Sequence, residues 1–220
     1  MKLYFAPGAC SLAPHLILLQ LGLPFTAERV SLRTKLTKDG VDYRTINPKG
    51  QLPALELDDG KLLTENAAVL QYIADQAPES GLAPAPGSFA RYQLMEWLSY
   101  LSTEVHKRFS PMFSPGCTDE IREAAWRSLA APLTYLAGKV DGARYLMGEQ
   151  FTVADAYLFA ILNWIGFAKF TMNDWPTLQA YHARVAALPA AGSDEARRTG
   201  VTPRAALVRR ILASRATMRA

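Results

Sequence analysis

The sequence lacks several features that would place it in a specialised class of protein. It has two cysteines in 220 residues, Cys10 and Cys117, too few for a disulfide framework or a cysteine-based zinc site. It contains no run of 18 apolar residues, so we expect no transmembrane helix and no membrane partner. The first residues leave no room for the apolar region of a signal peptide, because Pro7-Gly8 interrupts them. We therefore expect a cytoplasmic protein without a metal site.

A general excess of charge is also missing. The pI of about 9.1 comes from residues 193–220, which hold seven arginines against two acidic residues, whereas the rest of the chain has 17 basic and 18 acidic residues. No aromatic residue is interleaved with those arginines, which argues against nucleic-acid binding. The apolar residues 207, 208, 211 and 212 fit either one helical stripe or a disordered arm. We expect this Arg-rich tail to be dispensable for folding and for activity.

The composition that remains is that of an ordinary globular protein. Half of the residues are hydrophobic and a fifth are charged, and the length suffices for one large domain or two small ones. Residues 79–88 contain two prolines and two glycines, which is typical of a linker. We therefore predict a domain over residues 1–78, a linker over 79–88, a second domain over 89–192 and a tail over 193–220.

The two predicted domains differ in their hydrophobic periodicity. In residues 1–78 we predict the order β-α-β followed by β-β-α, with a hairpin turn at Asp58-Asp59-Gly60. Residues 89–192 contain helical patterns only, and Thr152 with Asp155 forms a capping box before one of them. The predicted strands are 2–5, 25–32, 54–57 and 61–64, and the predicted helices are 11–21, 65–76, 89–110, 119–140, 152–169 and 176–188. The fold class is α/β followed by all-α.

Cys10 is the most informative residue for function. With Ser11 it opens the first predicted helix directly after a strand, where unpaired N–H groups and the helix dipole favour an anion. We expect this position to be exposed and the pKa of the thiol to be lowered toward neutrality, which would make Cys10 reactive. A buried, inert cysteine is the alternative reading of the same residues.

Two further segments have features of a binding site. Glu65 and Asn66 stand at the start of a helix, where they fit either helix caps or ligands of an amino acid head group. Pro53 stands at the start of a strand, and a cis peptide bond before it would turn the backbone of Leu52 outward to pair with an extended ligand.

The predicted helix over residues 89–110 carries two stripes. The core stripe consists of Leu94, Leu98, Leu101, Val105 and Phe109. A polar stripe beside it consists of Ser99, Thr103, His106 and Ser110. This polar stripe faces either solvent or a cleft, and its local sequence makes His106 a surface histidine as readily as a functional one.

Four motifs together carry a resemblance to a known family. They are Met1-Lys-Leu-Tyr-Phe-Ala-Pro-Gly-Ala-Cys10-Ser11, Asn47-Pro-Lys-Gly-Gln-Leu52-Pro53, Leu63-Thr-Glu65-Asn66-Ala-Ala-Val-Leu-Gln-Tyr-Ile and Glu104-Val-His106-Lys107. In this order and spacing the chain resembles a bacterial beta-class glutathione S-transferase over roughly residues 1–188. The resemblance implies a thioredoxin-like N-terminal domain, an all-helical C-terminal domain, a homodimer and a glutathione site between the domains.

The resemblance also implies roles for individual residues. Cys10 and His106 would face the glutathione sulfur, with Ser11 as a further donor to it. The remaining glutathione contacts would be Lys35 to the glycyl carboxylate, the Leu52 backbone beside cis-Pro53, Glu65 and Asn66 to the γ-glutamyl head group, and Thr103 with Glu104 at its border. Ser99 stands where the family usually has Asn, so the side chain that would contact glutathione at this position is shorter.

These residues predict an enzyme that conjugates glutathione, its co-substrate, to hydrophobic electrophiles, without a prosthetic group and with detoxification as its expected role. Thiol–disulfide exchange at Cys10 would add a disulfide reductase or peroxidase activity. The alternative is a non-catalytic glutathione-fold protein that acts by binding or in stress regulation. Phe109, Phe113, Trp164 and Phe167 would offer an apolar wall to the electrophile, and each fits the hydrophobic core equally well.

Overall fold

The N-terminal part of the chain forms a mixed four-stranded sheet in the computed structural model, which describes residues 1–192. The Arg-rich tail of residues 193–220, and with it the expectation that this tail is dispensable, lies outside the described residues. The elements of this part are β1 (Lys2–Phe5), α1 (Leu12–Leu21), β2 (Thr26–Arg29), β3 (Ala54–Glu56), β4 (Leu62–Thr64) and α2 (Asn66–Asp75). The strand order is β2-β1-β3-β4, so the predicted sequence of strands and helices is confirmed.

The connections explain the directions of the strands. β1 and β2 are parallel, which requires a crossover, and α1 supplies it. β3 and β4 are antiparallel and are joined by the predicted turn, where Gly60 has a φ of 80° that favours glycine. α1 and α2 cover one face of the sheet, whereas Val30 and Tyr43 from the following loop pack on Tyr4 and Ala54 of the other face. Both faces of the sheet are therefore covered, and the loops at the ends of its strands are the parts that can form a site.

The C-terminal part is helical. Its elements are α3 (Phe89–Tyr100), a π-helical turn (Leu101–His106), α4 (Lys107–Phe109), α5 (Asp119–Val140), α6 (Val153–Phe167), α7 (Pro176–Ala186) and α8 (Pro189–Gly192). α6 is buried on nearly all sides, and its first turn has the predicted capping box. The Thr152 N–H donates to Asp155, which also accepts from the Leu146 N–H and the Tyr181 hydroxyl at 2.8 Å each. None of the described helices is both long and apolar enough to cross a membrane.

The predicted continuous helix over residues 89–110 was wrong in one detail. Between α3 and α4 the Lys107 N–H bonds to the carbonyl of Ser102, five residues earlier, instead of four. Such a π-turn contains one residue more than an α-helical turn, so the side chains that follow it are rotated by about 100° relative to a regular helix. The five predicted core residues of this segment are all buried. The polar residues before and after the turn, however, do not lie on one face of the helix.

Two side chains tie the helical part to the sheet. The buried guanidinium of Arg91 on α3 donates to both carboxylate oxygens of Asp75 on α2, at 2.8 and 2.6 Å, and to the Pro84 carbonyl. Trp164 on α6 donates from Nε1 to the Gly8 carbonyl at 2.7 Å. The loop before α1 is therefore held directly by the helical part. The domain boundary at residues 79–88 stays a prediction.

Candidate active site

A cavity of about 920 Å³ lies between the two parts of the chain. Its sheet side is lined by residues 7–10, by Leu32, Lys35, Asn47 and Lys49, and by residues 51–53 and 64–67. Its helical side is lined by Ser102, His106, Lys107, Ser110, Phe113, Tyr157, Trp164 and Phe167. The volume is within the range of small-molecule sites, and the two sides carry different kinds of side chain.

Cys10 lines this cavity but is not the exposed thiolate that its position predicted. Its side chain is 6 % exposed, and the thiol donates to the Leu52 carbonyl at 3.4 Å. Burial, with a smaller contribution from the charge of Glu65, raises the pKa of the thiol to about 12. The N–H groups of Cys10 and Ser11 do lower this pKa, as expected at a helix start, but burial outweighs them. The prediction of a lowered pKa was therefore wrong.

The predicted role of Ser11 as a donor to the glutathione sulfur also needs correction. It is 1 % exposed, and its hydroxyl donates to the Ala6 carbonyl and accepts from the Ala6 N–H, both at 3.2 Å. It is not among the residues that line the cavity. A hydroxyl has a single proton to donate, so Ser11 fixes the loop before α1 and does not donate to a ligand.

The loop before β3 lines the cavity with residues 51–53. The peptide bond between Leu52 and Pro53 is cis, as the resemblance implied. The preceding carbonyl, that of Gln51, accepts hydrogen bonds from the Tyr43 hydroxyl at 2.9 Å and from Asn47 Nδ2 at 2.8 Å. Two buried side chains thus hold this loop in place while Leu52 lies at the cavity surface.

Charged groups line the sheet side of the cavity. Lys35 reaches the Gly50 carbonyl at 2.9 Å, and Lys49 forms an ion pair with Glu65 at 2.7 Å. The atoms of both pairs are exposed or half-buried, so a charged ligand can compete with the present partners of Lys35, Lys49 and Glu65. Lys35 and Glu65 were predicted, whereas Lys49 was missed; its place two residues before the Gln51-Leu52-Pro53 segment is the signal that could have found it.

Asn66 differs from these charged residues because it is buried. Its side chain is 7 % exposed, and neither its amide nitrogen nor its amide oxygen has a hydrogen-bond partner by distance and angle in residues 1–192. The amide still lies near enough to the Tyr157 hydroxyl to lower the pKa of that group, against the larger effect of burial. An unpartnered buried amide at a cavity wall is ready to bind a polar ligand.

His106 is the histidine of the helical side. Its Nδ1 lies 2.6 Å from the Tyr157 hydroxyl oxygen, and its ring packs edge to face against Trp164, with 4.7 Å between the centroids. Burial, and then the charge of Lys107, lower the pKa of His106 to about 4. At neutral pH the ring is therefore an uncharged imidazole. Tyr157 was missed by the sequence analysis, since nothing but its hydroxyl distinguishes it within an apolar helix.

Three predicted glutathione contacts do not line the cavity. Ser99 and Thr103 are exposed, and Thr103 donates to the Ser99 carbonyl at 3.2 Å. Glu104 pairs with Arg108 on the same helical segment, which lowers the pKa of that carboxyl. The π-turn rotates His106 away from the face that a regular helix would share with Ser99 and Thr103. Ser102, which was not predicted, lines the cavity in their place.

The predicted apolar wall is present in part. Phe113, Trp164 and Phe167 line the cavity, and Phe113 and Phe167 are about half exposed. Phe109 is fully buried and belongs to the core. His15, which the helical pattern places against the sheet, lies between the rings of Phe5 and Phe25. In residues 1–192 no group of three or more His, Cys, Asp or Glu side chains is arranged to hold a metal ion.

Comparisons with known proteins agree in both halves of the chain. The family model for the glutathione S-transferase N-terminal domain matches residues 8–76, and that for the C-terminal domain matches residues 100–189. The chain is 42% identical over 189 residues to the glutathione S-transferase GstA of Escherichia coli O157:H7, covering 86% of this chain and 94% of that protein. It is 35% identical to the glutathione S-transferase GST-4.5 of Xanthomonas campestris, over 85% of this chain and 93% of that one.

Solved structures give the same result. The ternary complex of BphK, a bacterial GST, superposes with a TM-score of 0.87 at 46% identity, over 90% of this chain and 99% of that one. A sphingomonad glutathione S-transferase in complex with glutathione gives a TM-score of 0.86 at 45% identity, over 92% and 100%. A bacterial beta-class enzyme of Sphingomonas chungbukensis gives 0.88 at 43% identity, over 92% and 100%.

Proposed function

The chain belongs to the glutathione S-transferase family, and we propose that it transfers the thiolate of glutathione to hydrophobic electrophiles in the cavity between the sheet and the helices. The resemblance to bacterial beta-class enzymes, which the sequence motifs suggested, is confirmed by these comparisons. The observation that carries the proposal for this chain's own residues is the polar end of the cavity. There the unpartnered amide of Asn66 lies beside Glu65, and two lysines line the same wall.

Glutathione has the charges that this wall would bind. It carries two carboxylates and one ammonium, so it needs cations and an anion at separate points. Glu65 would accept from the ammonium, Asn66 would bind the γ-glutamyl carboxylate, and Lys35 would meet the glycyl carboxylate. Lys49 now joins the set, because the ligand ammonium would compete with it for Glu65. The Leu52 backbone beside cis-Pro53 would pair with the cysteinyl unit.

The reaction follows from what the other wall offers. The thiol of glutathione loses its proton, the sulfur lone pair forms a bond to the electrophilic carbon, and the leaving group departs with its electron pair. His106 is neutral and lines the cavity, so it would stabilise the sulfur anion. Phe113, Trp164 and Phe167 would pack against the apolar part of the electrophile.

The test separates an enzyme from a non-catalytic binding protein. Calorimetry should show binding of glutathione at millimolar ligand, and a chloronitroaromatic should then be converted at a rate that depends on both substrates. Binding without turnover would favour the alternative of a regulatory binding protein. The absence of binding would contradict the proposal.

We further propose a homodimer that acts in cytoplasmic detoxification. The support within this chain is a ridge of exposed apolar side chains on α3, Phe89, Tyr92 and Met95, whose spacing of three residues puts them on one side of the helix. A second copy would cover this ridge. Sedimentation should then show a dimer, and Phe89→Glu should shift it toward the monomer.

A further inference from the structure

His106 is held by a buried tyrosine on the neighbouring helix. Its Nδ1 is 2.6 Å from the Tyr157 hydroxyl oxygen, and the two rings meet edge to face with centroids 5.8 Å apart. Tyr157 is 2 % exposed, so its hydroxyl has little access to bulk water. A hydrogen bond this short to a buried partner restricts both the orientation of the imidazole and its tautomer.

Two hydrogen-bond arrangements fit this distance. In the first, the Tyr157 hydroxyl donates to Nδ1, and the imidazole proton is then on Nε2. In the second, Nδ1–H donates to the phenolic oxygen, and the phenolic proton needs another acceptor. The Ser102 hydroxyl is 3.4 Å away, which is long for an O–H···O bond, and its own proton goes to the Leu98 carbonyl at 2.8 Å. Asn66, the other polar side chain near this hydroxyl, makes no hydrogen bond with it by distance and angle. The first arrangement therefore gives the buried phenolic proton the better acceptor.

The other ring nitrogen, Nε2, is available to a ligand. It has no hydrogen-bond partner in the part of the chain that the structure describes, and it is not among the fully enclosed polar atoms of residues 1–192. His106 lines the same cavity as Cys10 and Leu52. Cys10 also lies near enough to Tyr157 for a charge on its sulfur to raise the pKa of the hydroxyl, although burial raises it more. The histidine–tyrosine pair is therefore close to where the sulfur of a ligand would lie.

From this geometry we infer that Tyr157 is a positioning residue that holds His106 as the tautomer protonated on Nε2. His106 then presents a hydrogen-bond donor, and not a general base, to the sulfur of bound glutathione. The identity of this ligand rests on the proposed function, whereas the tautomer does not. The proton of the glutathione thiol leaves to water in the cavity, Nε2–H donates to the sulfur anion, and the sulfur electron pair then attacks the electrophile.

The charges around the pair are consistent with these roles at neutral pH. The groups that face it are Lys107 from the same helical segment and Cys10 with Glu65 from the sheet side. Burial and Lys107 keep His106 neutral, since they lower its pKa to about 4, and burial raises the pKa of Tyr157 so that its phenol keeps its proton. Neither partner changes its protonation between about pH 5 and pH 9.

The tautomer is measurable directly by nitrogen NMR. The chain has three histidines, so a protein labelled with ¹⁵N-histidine gives a simple spectrum, and His106→Ala identifies the signals of His106. We expect His106 to carry its proton on Nε2 in the unmodified protein, with or without glutathione. In Tyr157→Phe this preference should be lost. Tyr181→Phe is the matched control, because it removes a buried hydroxyl that bonds Asp155 and does not line the cavity.

The functional consequence is a change in the pKa of the bound glutathione thiol and not in the affinity for glutathione. The ultraviolet absorbance of the bound thiolate, titrated against pH, gives the pKa of the glutathione sulfur. Tyr157→Phe should raise this pKa and lower kcat at pH 7 by about 10-fold, while the Kd of glutathione changes by less than about 2-fold. Tyr181→Phe should leave the pKa of the bound thiol unchanged.

A proton on Nδ1 in the unmodified protein would overturn the inference, and this measurement does not depend on the folding of Tyr157→Phe. An unchanged thiol pKa and kcat in Tyr157→Phe would overturn it as well. Failure of the unmodified protein to bind glutathione would overturn the proposed function, and the NMR result would still decide the tautomer.

Discussion

The two walls of the cavity are built from different chemistry. The wall on the sheet side offers the Leu52 segment, an amide and three charged side chains, whereas the wall on the helical side offers aromatic rings, a histidine–tyrosine pair and one lysine. A peptide ligand with fixed charges requires many directional contacts, and an apolar electrophile requires shape and exclusion of water. We therefore expect changes in the first wall to alter glutathione binding, and changes in the second wall to alter turnover.

The largest effect should come from removing the anion of the sheet wall. Glu65→Ala removes the partner of the glutathione ammonium and should weaken binding by about 1.5 to 3 kcal/mol, as expected for a charge-assisted hydrogen bond. Calorimetry measures this change. The control is Glu79→Ala, which removes an exposed carboxylate that does not line the cavity. At saturating glutathione kcat should be nearly unchanged; a loss of kcat as large as the loss of affinity would mean that the two walls do not act separately.

His106→Ala tests the opposite wall. We expect kcat for conjugation to fall by about 10- to 100-fold, because the sulfur anion loses a stabilising donor, while calorimetry shows glutathione binding within about 2-fold of the unmodified protein. His182→Asn is the control, since His182 is also a partly buried histidine but bonds Asn163 and does not line the cavity. If affinity falls and kcat does not, His106 belongs functionally to the glutathione-binding wall.

Cys10 lies at the boundary of the two walls, and pH reveals its state. With the pKa of the thiol raised to about 12, the reactive thiolate is scarce at neutral pH. The rate at which oxidised glutathione adds one glutathionyl unit should therefore rise about 10-fold per pH unit from pH 7 to pH 9 without a plateau. Mass spectrometry measures the adduct, and Cys10→Ala should abolish it together with any disulfide reductase activity.

Two controls complete this experiment. Cys117→Ala should leave the adduct in place, because Cys117 does not line the cavity. Conjugation should fall less in Cys10→Ala than in His106→Ala, since conjugation uses the thiolate of the ligand. A plateau of the adduct rate near pH 7 would show that the pKa of Cys10 is low, as its position in the sequence predicted.

The last prediction concerns stability in acid and not the activity of either wall. Burial lowers the pKa of both His106 and His182 to about 4, below the value of about 6.5 in an unfolded chain. The stability that the neutral rings contribute is complete above about pH 6.5 and is lost as the pH falls toward 4. Each histidine contributes a slope of about 1.4 kcal/mol per pH unit at most.

Urea unfolding at several pH values between 7 and 4 measures this slope. His182→Asn should remove one histidine's share of it, and the difference from the unmodified protein isolates that share. The buried Asp155, whose pKa is raised, acts in the opposite direction and is common to both proteins. An unchanged slope in His182→Asn would contradict the burial effect assigned to this ring.

Local patterns were sufficient to predict much of the fold. The strand and helix order, the turn at Gly60 and the capping box of Thr152 and Asp155 depend on neighbours within a few residues, and all are confirmed. The state of Cys10 could not be predicted in this way. Its helix start is a local feature that lowers the pKa, but the thiol is buried and its hydrogen-bond partner, the Leu52 carbonyl, is 42 residues away.

The same limit explains why the residues that line the helical wall were not all predicted. A regular helix places Ser99, Thr103 and His106 on one face, and none of the residues between them indicates a π-turn by its type. Tyr157 is 51 residues from His106, so their hydrogen bond follows from the packing of α6 and not from any spacing. Both features concern how helices pack, which one sequence encodes only indirectly.

The π-turn at Leu101–His106 has a consequence for insertions and deletions. It gives the helix one residue more than its length requires, while α3 before it and α4 after it keep regular geometry. Deleting a single surface residue of the turn, such as Thr103, should restore an unbroken α-helix without displacing its two ends. This segment is therefore a place where the chain length can change by one residue at little cost to the fold, and where the orientation of His106 depends on that one residue.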